Sequence, residues 1–143
     1  MASKKVVCSF DYEHDKELYF LLEAWNKNSN IDFHISDCTP REIQTDSVQV
    51  IKQQLSWRIG DANYMVAIIG KHSNDLHKDH FEIGYRNWQS YEIAKNYEKG
   101  NGLVVVILDS TCDIPIECYG KGAKIVHGYS LVGIKSALEE LSR

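Results

Sequence analysis

The sequence contains no CxxC pair, no zinc-finger spacing, no internal repeat and no low-complexity tract. Its four cysteines, Cys8, Cys38, Cys112 and Cys118, are scattered, which excludes the usual structural zinc patterns. Cys112 and Cys118 flank Pro115 at a separation that admits a disulfide. Free cysteine packs as a small hydrophobe, and the four are read as partly buried thiols. No block of Lys and Arg occurs, and the formal net charge is −4. Nonspecific nucleic-acid binding, which rests on cations against phosphates, is therefore not expected. The longest apolar runs have strand length, far short of a membrane span, so no membrane association is expected either. Met1-Ala-Ser-Lys-Lys5 leads at once into an apolar run without the h-region of a secretion signal. A cytoplasmic address is the expectation.

What is present is enough for one ordinary domain, expected to span residues 1–143. With 43% hydrophobic and 25% charged residues, a chain of this length buries a core without disulfides or a structural metal. Val6 to Phe10 reads as a buried first strand, followed by a polar turn from Asp11 to Asp15. Asp15 is a candidate N-cap for a helix whose Leu18, Leu21, Leu22 and Trp25 recur at helical spacing. Phe33-His-Ile35 is a brief second strand. Ser36 to Asp46 reads as a loop of functional length. Val48, Ile51, Leu55 and Ile59 mark the next helix, stopped by Gly60-Asp-Ala-Asn63. Tyr64 to Ile69 and Leu103 to Leu108 are apolar throughout, as strands covered on both faces are. Between them lie a polar stretch, Lys71 to His80, and a helix ending at Gly100. Ser110 to Gly122 is irregular, with room for a short helix. Ala123 to Val126 is a weak fifth strand, and Leu131, Ile134, Leu138 and Leu141 outline the last helix. Strands alternating with helices imply an α/β fold with a parallel sheet between two helical layers.

Ligands of open parallel sheets bind outside the carboxyl ends of the strands. Those ends are Ser9-Phe10-Asp11, Ser36-Asp37, Gly70-Lys71 and Asp109-Ser110, and the helix after the third strand opens on the same edge. That helix carries Trp88-Gln-Ser-Tyr-Glu92. Residues four apart on a helix are neighbours, which sets the Trp88 ring beside the Glu92 carboxylate. Ile93, Ala94 and Tyr97 fall on another side, able to face the sheet. A carboxylate beside a large ring can hold a flat, charged substrate and stabilise positive charge at an adjacent carbon. Glu92 is therefore the candidate chemical centre. The plainer alternative is a solvated helix glutamate, the commonest fate of that residue. Trp88 as core and Trp88 as pocket wall are compatible, and Phe10 is either core or a substrate platform.

Other groupings carry less. His72, Asp75, His77, Asp79 and His80 lack the spacing of a metal site and alternate with Lys71 and Lys78, so they are read as a solvated loop, and no metal is expected. Lys99-Gly-Asn-Gly102 runs from helix into strand, the reverse of a phosphate-binding turn. Gly120-Lys-Gly122 lacks Walker spacing.

Four places resemble the TIR-like domain family, in particular its bacterial branch in Thoeris anti-phage defence. They are Val6-Val-Cys-Ser-Phe-Asp-Tyr12; the helix from Val48 to Ile59 leading into Tyr64-Met-Val-Ala-Ile-Ile-Gly70; Trp88-x-x-x-Glu92; and Tyr91-Glu-Ile93 followed by Glu98-Lys-Gly100 and an apolar strand. The likeness spans about Val6 to Asp109. It implies a three-layer flavodoxin-like fold of five parallel strands in order 2-1-3-4-5. It also implies an enzyme that cleaves the nicotinamide–ribose bond of NAD and yields an ADP-ribose-derived signal, with NAD as substrate and no cofactor. Carried over by position, Glu92 is the catalytic carboxylate, Trp88 its motif partner, and Ser9 and Phe10 line the pocket. Asp11 and Asp37 join the candidate substrate-binding residues from the sheet edge. The family's loop after strand two often carries an acidic or aromatic signature; here it reads Ser36-Asp37-Cys38-Thr39-Pro40-Arg41, and the resemblance does not itself assign Asp37 or Arg41 to substrate. The histidine-rich stretch before Trp88 is long; a lid, a regulatory contact and a variable loop all fit it. Implied partners are further copies of the chain, a phage-derived trigger and an effector reached through a diffusible nucleotide. Two alternatives stand beside this reading: a non-catalytic TIR-like adaptor that works by self-association, and a nucleoside deoxyribosyltransferase-like enzyme, which also uses a glutamate at an anomeric carbon.

Overall fold

The computed structural model describes residues 4–27, 33–37 and 46–142. Five parallel strands, β1 (Lys4–Ser9), β2 (Phe33–Asp37), β3 (Tyr64–Ile69), β4 (Gly102–Ile107) and β5 (Lys124–His127), form one sheet in the order β2-β1-β3-β4-β5. The helices are α1 (Tyr12–Glu23), α2 (Val48–Gly60), the single turn α3 (His80–Ile83), α4 (Trp88–Glu98) and α5 (Leu131–Leu141). Short 3₁₀ turns follow α1 at Ala24–Lys27 and interrupt the stretch before β5 at Ile116–Cys118.

Side chains alternate across a strand, and the two halves of the core follow that alternation. Val7, Met65, Ala67, Ile69, Leu103 and Val105 face α2, α3 and α4. Val6, Cys8, Val66, Ile68, Val104 and Val106 face α1 and α5. This accounts for the uninterrupted apolar runs of β3 and β4: each must supply both layers.

Four local expectations change. Asp11, not Asp15, caps α1, its carboxylate accepting from the Glu13 N–H at 3.1 Å; Asp11 to Asp15 is thus the helix start rather than a turn. Leu21 is exposed, and Tyr19 takes its inward place, because the Phe10 ring stacks on Tyr19 at 5.0 Å and centres the buried stripe on Leu22. Tyr97 is also exposed, with the Lys121 ammonium 4.3 Å from its ring centre. Asn96 turns inward instead, donating to the Gly102 carbonyl and accepting from Asn101, and so satisfies backbone where α4 returns to β4. The stretch after β3 holds α3, a turn too short to leave a periodic signal. Cys8, Cys112 and Cys118 are buried, and burial pushes the Cys118 thiol up to about 12. Cys38 and Arg41 lie outside the described residues, as does most of the loop after β2.

Leu55 is fully buried between α2 and the sheet, whereas Leu21 lies on the solvent flank of α1. Leu55→Ala is expected to cost about 2–5 kcal/mol through lost burial and a residual cavity. Leu21→Ala should stay within about 0.5 kcal/mol. Urea denaturation of both variants checks this pair of values.

Candidate active site

Ser9 is the last residue of β1 and shares the alternation of Val7, so its hydroxyl points toward α4. It donates to Glu92 Oε1 at 2.6 Å, a short bond between groups 83 residues apart. Glu92 is 2% exposed, which contradicts the solvated reading of that residue. A carboxylate taken from water is costly unless it is bonded, so its presence at a strand end asks for a function or a structural partner.

The surroundings of this bond are built from the first turn of α4. Gln89, also buried, donates through Nε2 to the Ile68 carbonyl at 2.8 Å and the Ser9 carbonyl at 3.2 Å. It thus closes the gap where β1 and β3 run out of ladder partners. Asn87 caps α4 by accepting from the Ser90 N–H at 2.9 Å. Its amide donates in turn to the Ser73 and Asp75 carbonyls at 2.9 and 2.8 Å. Ser73 folds back to accept from the Gly70 N–H at 2.9 Å. The histidine-rich stretch, exposed along much of its length, is thus tied to the end of β3 and the start of α4.

On the other face, α1 begins at the same edge. Gly70 has no Cβ because the Asp15 carboxylate occupies that volume; a Cβ there would collide with both carboxyl oxygens. Burial, then the charge of Asp11, holds the Asp15 carboxyl above its ordinary pKa, partly opposed by His14 and His72. Asp15 Oδ2 is buried with no hydrogen-bond partner among the described residues. The rings of His14 and His72 stack at 3.7 Å, and each Nδ1 faces a carboxylate, Asp11 at 2.7 Å and Asp75 at 2.9 Å. The Asp11 bond is the main cause of the raised His14 pKa. Among the described residues no group of three His, Cys, Asp or Glu could hold a metal ion.

The sequence candidates separate accordingly. Ser9 and Glu92 are brought into contact. Phe10 follows the alternation to the α1 side, where it is buried against Tyr19 and Tyr12. Asp11 serves the helix cap and His14. Trp88 is partly buried one turn before Glu92, edge-on to Tyr91 at 5.7 Å and to His77 at 6.4 Å. Asp37 ends β2 in register with Cys8, and its side chain lies outside the described residues. At the end of β4, the Asp109 carboxylate is engaged by the Thr111 hydroxyl and N–H, which lower its pKa. Sequence reasoning missed Gln89, Asn87 and Asp15. Gln89 alone carried a signal, as the residue three before Glu92 on the same helical face.

Residues 7–113 match the family model of the Thoeris protein ThsB, TIR-like domain. No curated protein sequence matches the chain. Solved structures that share the fold include two from bacteria. A 2-deoxyribosyltransferase from Bacillus psychrosaccharolyticus is 13% identical with a TM-score of 0.57, and the match covers 92% of this chain and 90% of that one. A CMP N-glycosidase from Clostridium botulinum is 10% identical with a TM-score of 0.59, covering 96% and 99%.

Two measurements check this edge. Asn87→Ala removes a cap and two donors and should cost about 1–2 kcal/mol. Asn87→Ser keeps a capping oxygen and loses only the amide donors, so its denaturation midpoint should fall between those of wild type and the alanine variant. The raised Asp15 pKa means that folding is favoured while the carboxyl is protonated and disfavoured once it ionises. Its contribution is therefore lost as pH rises from the unfolded carboxylate value through the folded one. Asp15→Asn should melt above wild type at neutral pH, and the difference should shrink as pH falls toward about 3.

Proposed function

The chain belongs to the ThsB TIR-like domain family of Thoeris proteins, and from that premise we propose that it is an NAD-cleaving enzyme of anti-phage defence with Glu92 as its catalytic carboxylate. The observation that carries this reading is the buried Ser9–Glu92 hydrogen bond at the carboxyl edge of the sheet. Surface self-association of an adaptor needs no such group. In NAD the nicotinamide ring is cationic, so cleavage of the bond between its nitrogen and the ribose anomeric carbon sends the electron pair to the ring, which leaves neutral. No general acid is required. The positive charge passes to the ribose as an oxocarbenium-like centre, the same charge problem that glycosidases meet with carboxylates. Glu92 stabilises that centre electrostatically, and Ser9 fixes the carboxylate so that little reorganisation accompanies the step. Water, or a hydroxyl of a second reactant, then attacks the anomeric carbon and gives up a proton. The product is an ADP-ribose-derived nucleotide that signals to a separate effector, with self-association and a phage-derived trigger as the controls. Trp88 supplies an aromatic wall beside the site.

A second reading has its own support. The two structural neighbours are named for sugar transfer and for N-glycosidic cleavage of CMP, so a nucleoside or nucleotide substrate is the runner-up for the same carboxylate.

Mass spectrometry of nucleotide products from wild type and Glu92→Gln, both purified and in phage-challenged cells, separates these readings. Wild type is expected to consume NAD and release nicotinamide, and Glu92→Gln to lose on the order of 10³-fold in rate, about 4 kcal/mol of transition-state stabilisation, with its thermal transition retained. Turnover of CMP or deoxynucleosides with NAD intact would establish the second reading. NAD untouched in challenged cells, with Glu92→Gln still protective, would contradict both.

A further inference from the structure

We infer that Gln89 reads the sugar: its Oε1 accepts a hydrogen bond from a ribose hydroxyl of the bound nucleotide, beside Glu92. This rests on the proposed cleavage at the anomeric carbon and assigns a positioning residue to it. The amide orientation is fixed by chemistry. The two atoms within reach of one end of the Gln89 amide are backbone carbonyl oxygens, Ile68 O at 2.8 Å and Ser9 O at 3.2 Å, which only an NH₂ group can satisfy. Oε1 must therefore face the other way. There it is buried and, among the described residues, has no hydrogen-bond partner. The residue as a whole is 6% exposed, so its unpartnered acceptor is shielded from bulk solvent. A buried acceptor locked in place without a protein donor is set for a donor that arrives with a ligand or for a bound water.

Position decides in favour of the ligand. Gln89 and Glu92 are one helical turn apart on one face and share a single anchor, because Ser9 gives its carbonyl to Gln89 and its hydroxyl to Glu92. If Glu92 lies beside the anomeric carbon, the substrate donors nearest to it are the vicinal ribose hydroxyls. Two neighbouring acceptors suit a vicinal diol. A site that bonds a hydroxyl rejects the analogue lacking it far more strongly than an apolar site does, because its own polar group is left unpaired. Gln89 would thus select ribose over deoxyribose, the reverse of the preference named for the deoxyribosyltransferase neighbour.

The test is a coupling measurement. Cleavage of NAD and of its analogues lacking the 2′- or 3′-hydroxyl of the nicotinamide ribose is compared for wild type and Gln89→Met, under whichever condition supports wild-type turnover. With wild type, at least one analogue should lose about 30-fold or more in kcat/KM; with Gln89→Met that loss should shrink to about 3-fold or less. A merely structural Gln89 would slow all substrates by the same factor. Should Gln89→Met lack a thermal transition, Gln89→Asn, which keeps the amide but withdraws it by one methylene, takes its place with the same expectation. Neither analogue being discriminated by wild type, or an equal loss persisting in the variant, overturns the inference and assigns Oε1 to water. Wild type inert toward NAD, CMP and deoxynucleosides alike overturns the cleavage reading and this inference with it.

Discussion

A carboxylate cannot be stored inside a protein without a partner, and the bond from the Ser9 hydroxyl to Glu92 Oε1 is the constraint from which the carboxyl edge is organised. It can form only if the end of β1 lies directly against the first turns of α4. That adjacency needs β1 and β3 paired side by side, with α4 packed on the face to which Ser9 points. The register Ser9–Ala67 and the apolar packing of Ile93 against the α2 and α4 side of the sheet supply these conditions. The sheet is thus both the core of the protein and the ruler that sets one hydroxyl against one carboxylate.

Around that bond the backbone is completed by side chains rather than by regular structure. Gln89 takes two carbonyls at the strand ends, Asn87 ties the start of α4 to the segment after β3, and Ser73 closes the turn at Gly70. Each serves polar groups that neither a helix nor a ladder can satisfy. On α4 the five residues from Gln89 to Ile93 are buried in succession, and Asn96 joins them one turn on. The same edge collects acidic groups and the His14–His72 stack on the α1 side, so the two faces of the sheet present different chemistry to anything bound there.

Much of this was legible in the sequence because burial on two sides leaves an unmistakable composition. The runs at Tyr64–Ile69 and Gly102–Ile107, the α2 stripe and the alternation of elements all follow from it. Glu92 and Ser9 were legible through position at strand ends and the Trp88-x-x-x-Glu92 spacing. What was not legible depends on tertiary partners. Asp11 and Asp15 are equally good caps on paper, and the choice between them is made by where β1 stops. Leu21 and Tyr19 exchange roles because Phe10 stacks on one of them, and Asn96 displaces Tyr97 because a backbone carbonyl needed a donor. The spacing of Gln89 from Glu92 puts the two on one helical face, but nothing in the sequence says that two orphaned carbonyls lie beneath that amide.

The chemistry proposed for this edge, charge stabilisation at an anomeric carbon, suits either dinucleotide or nucleoside substrates, and it requires the sugar to lie against Glu92. A crystal structure of the Glu92→Gln variant with NAD bound tests it most directly. The nicotinamide ribose should lie at the carboxyl ends of β1 and β3, with the anomeric carbon about 3–4 Å from the side chain at position 92, within the range of reacting groups. NAD bound at another surface, or a sugar at this edge turned with its anomeric carbon away from that side chain, would contradict the account.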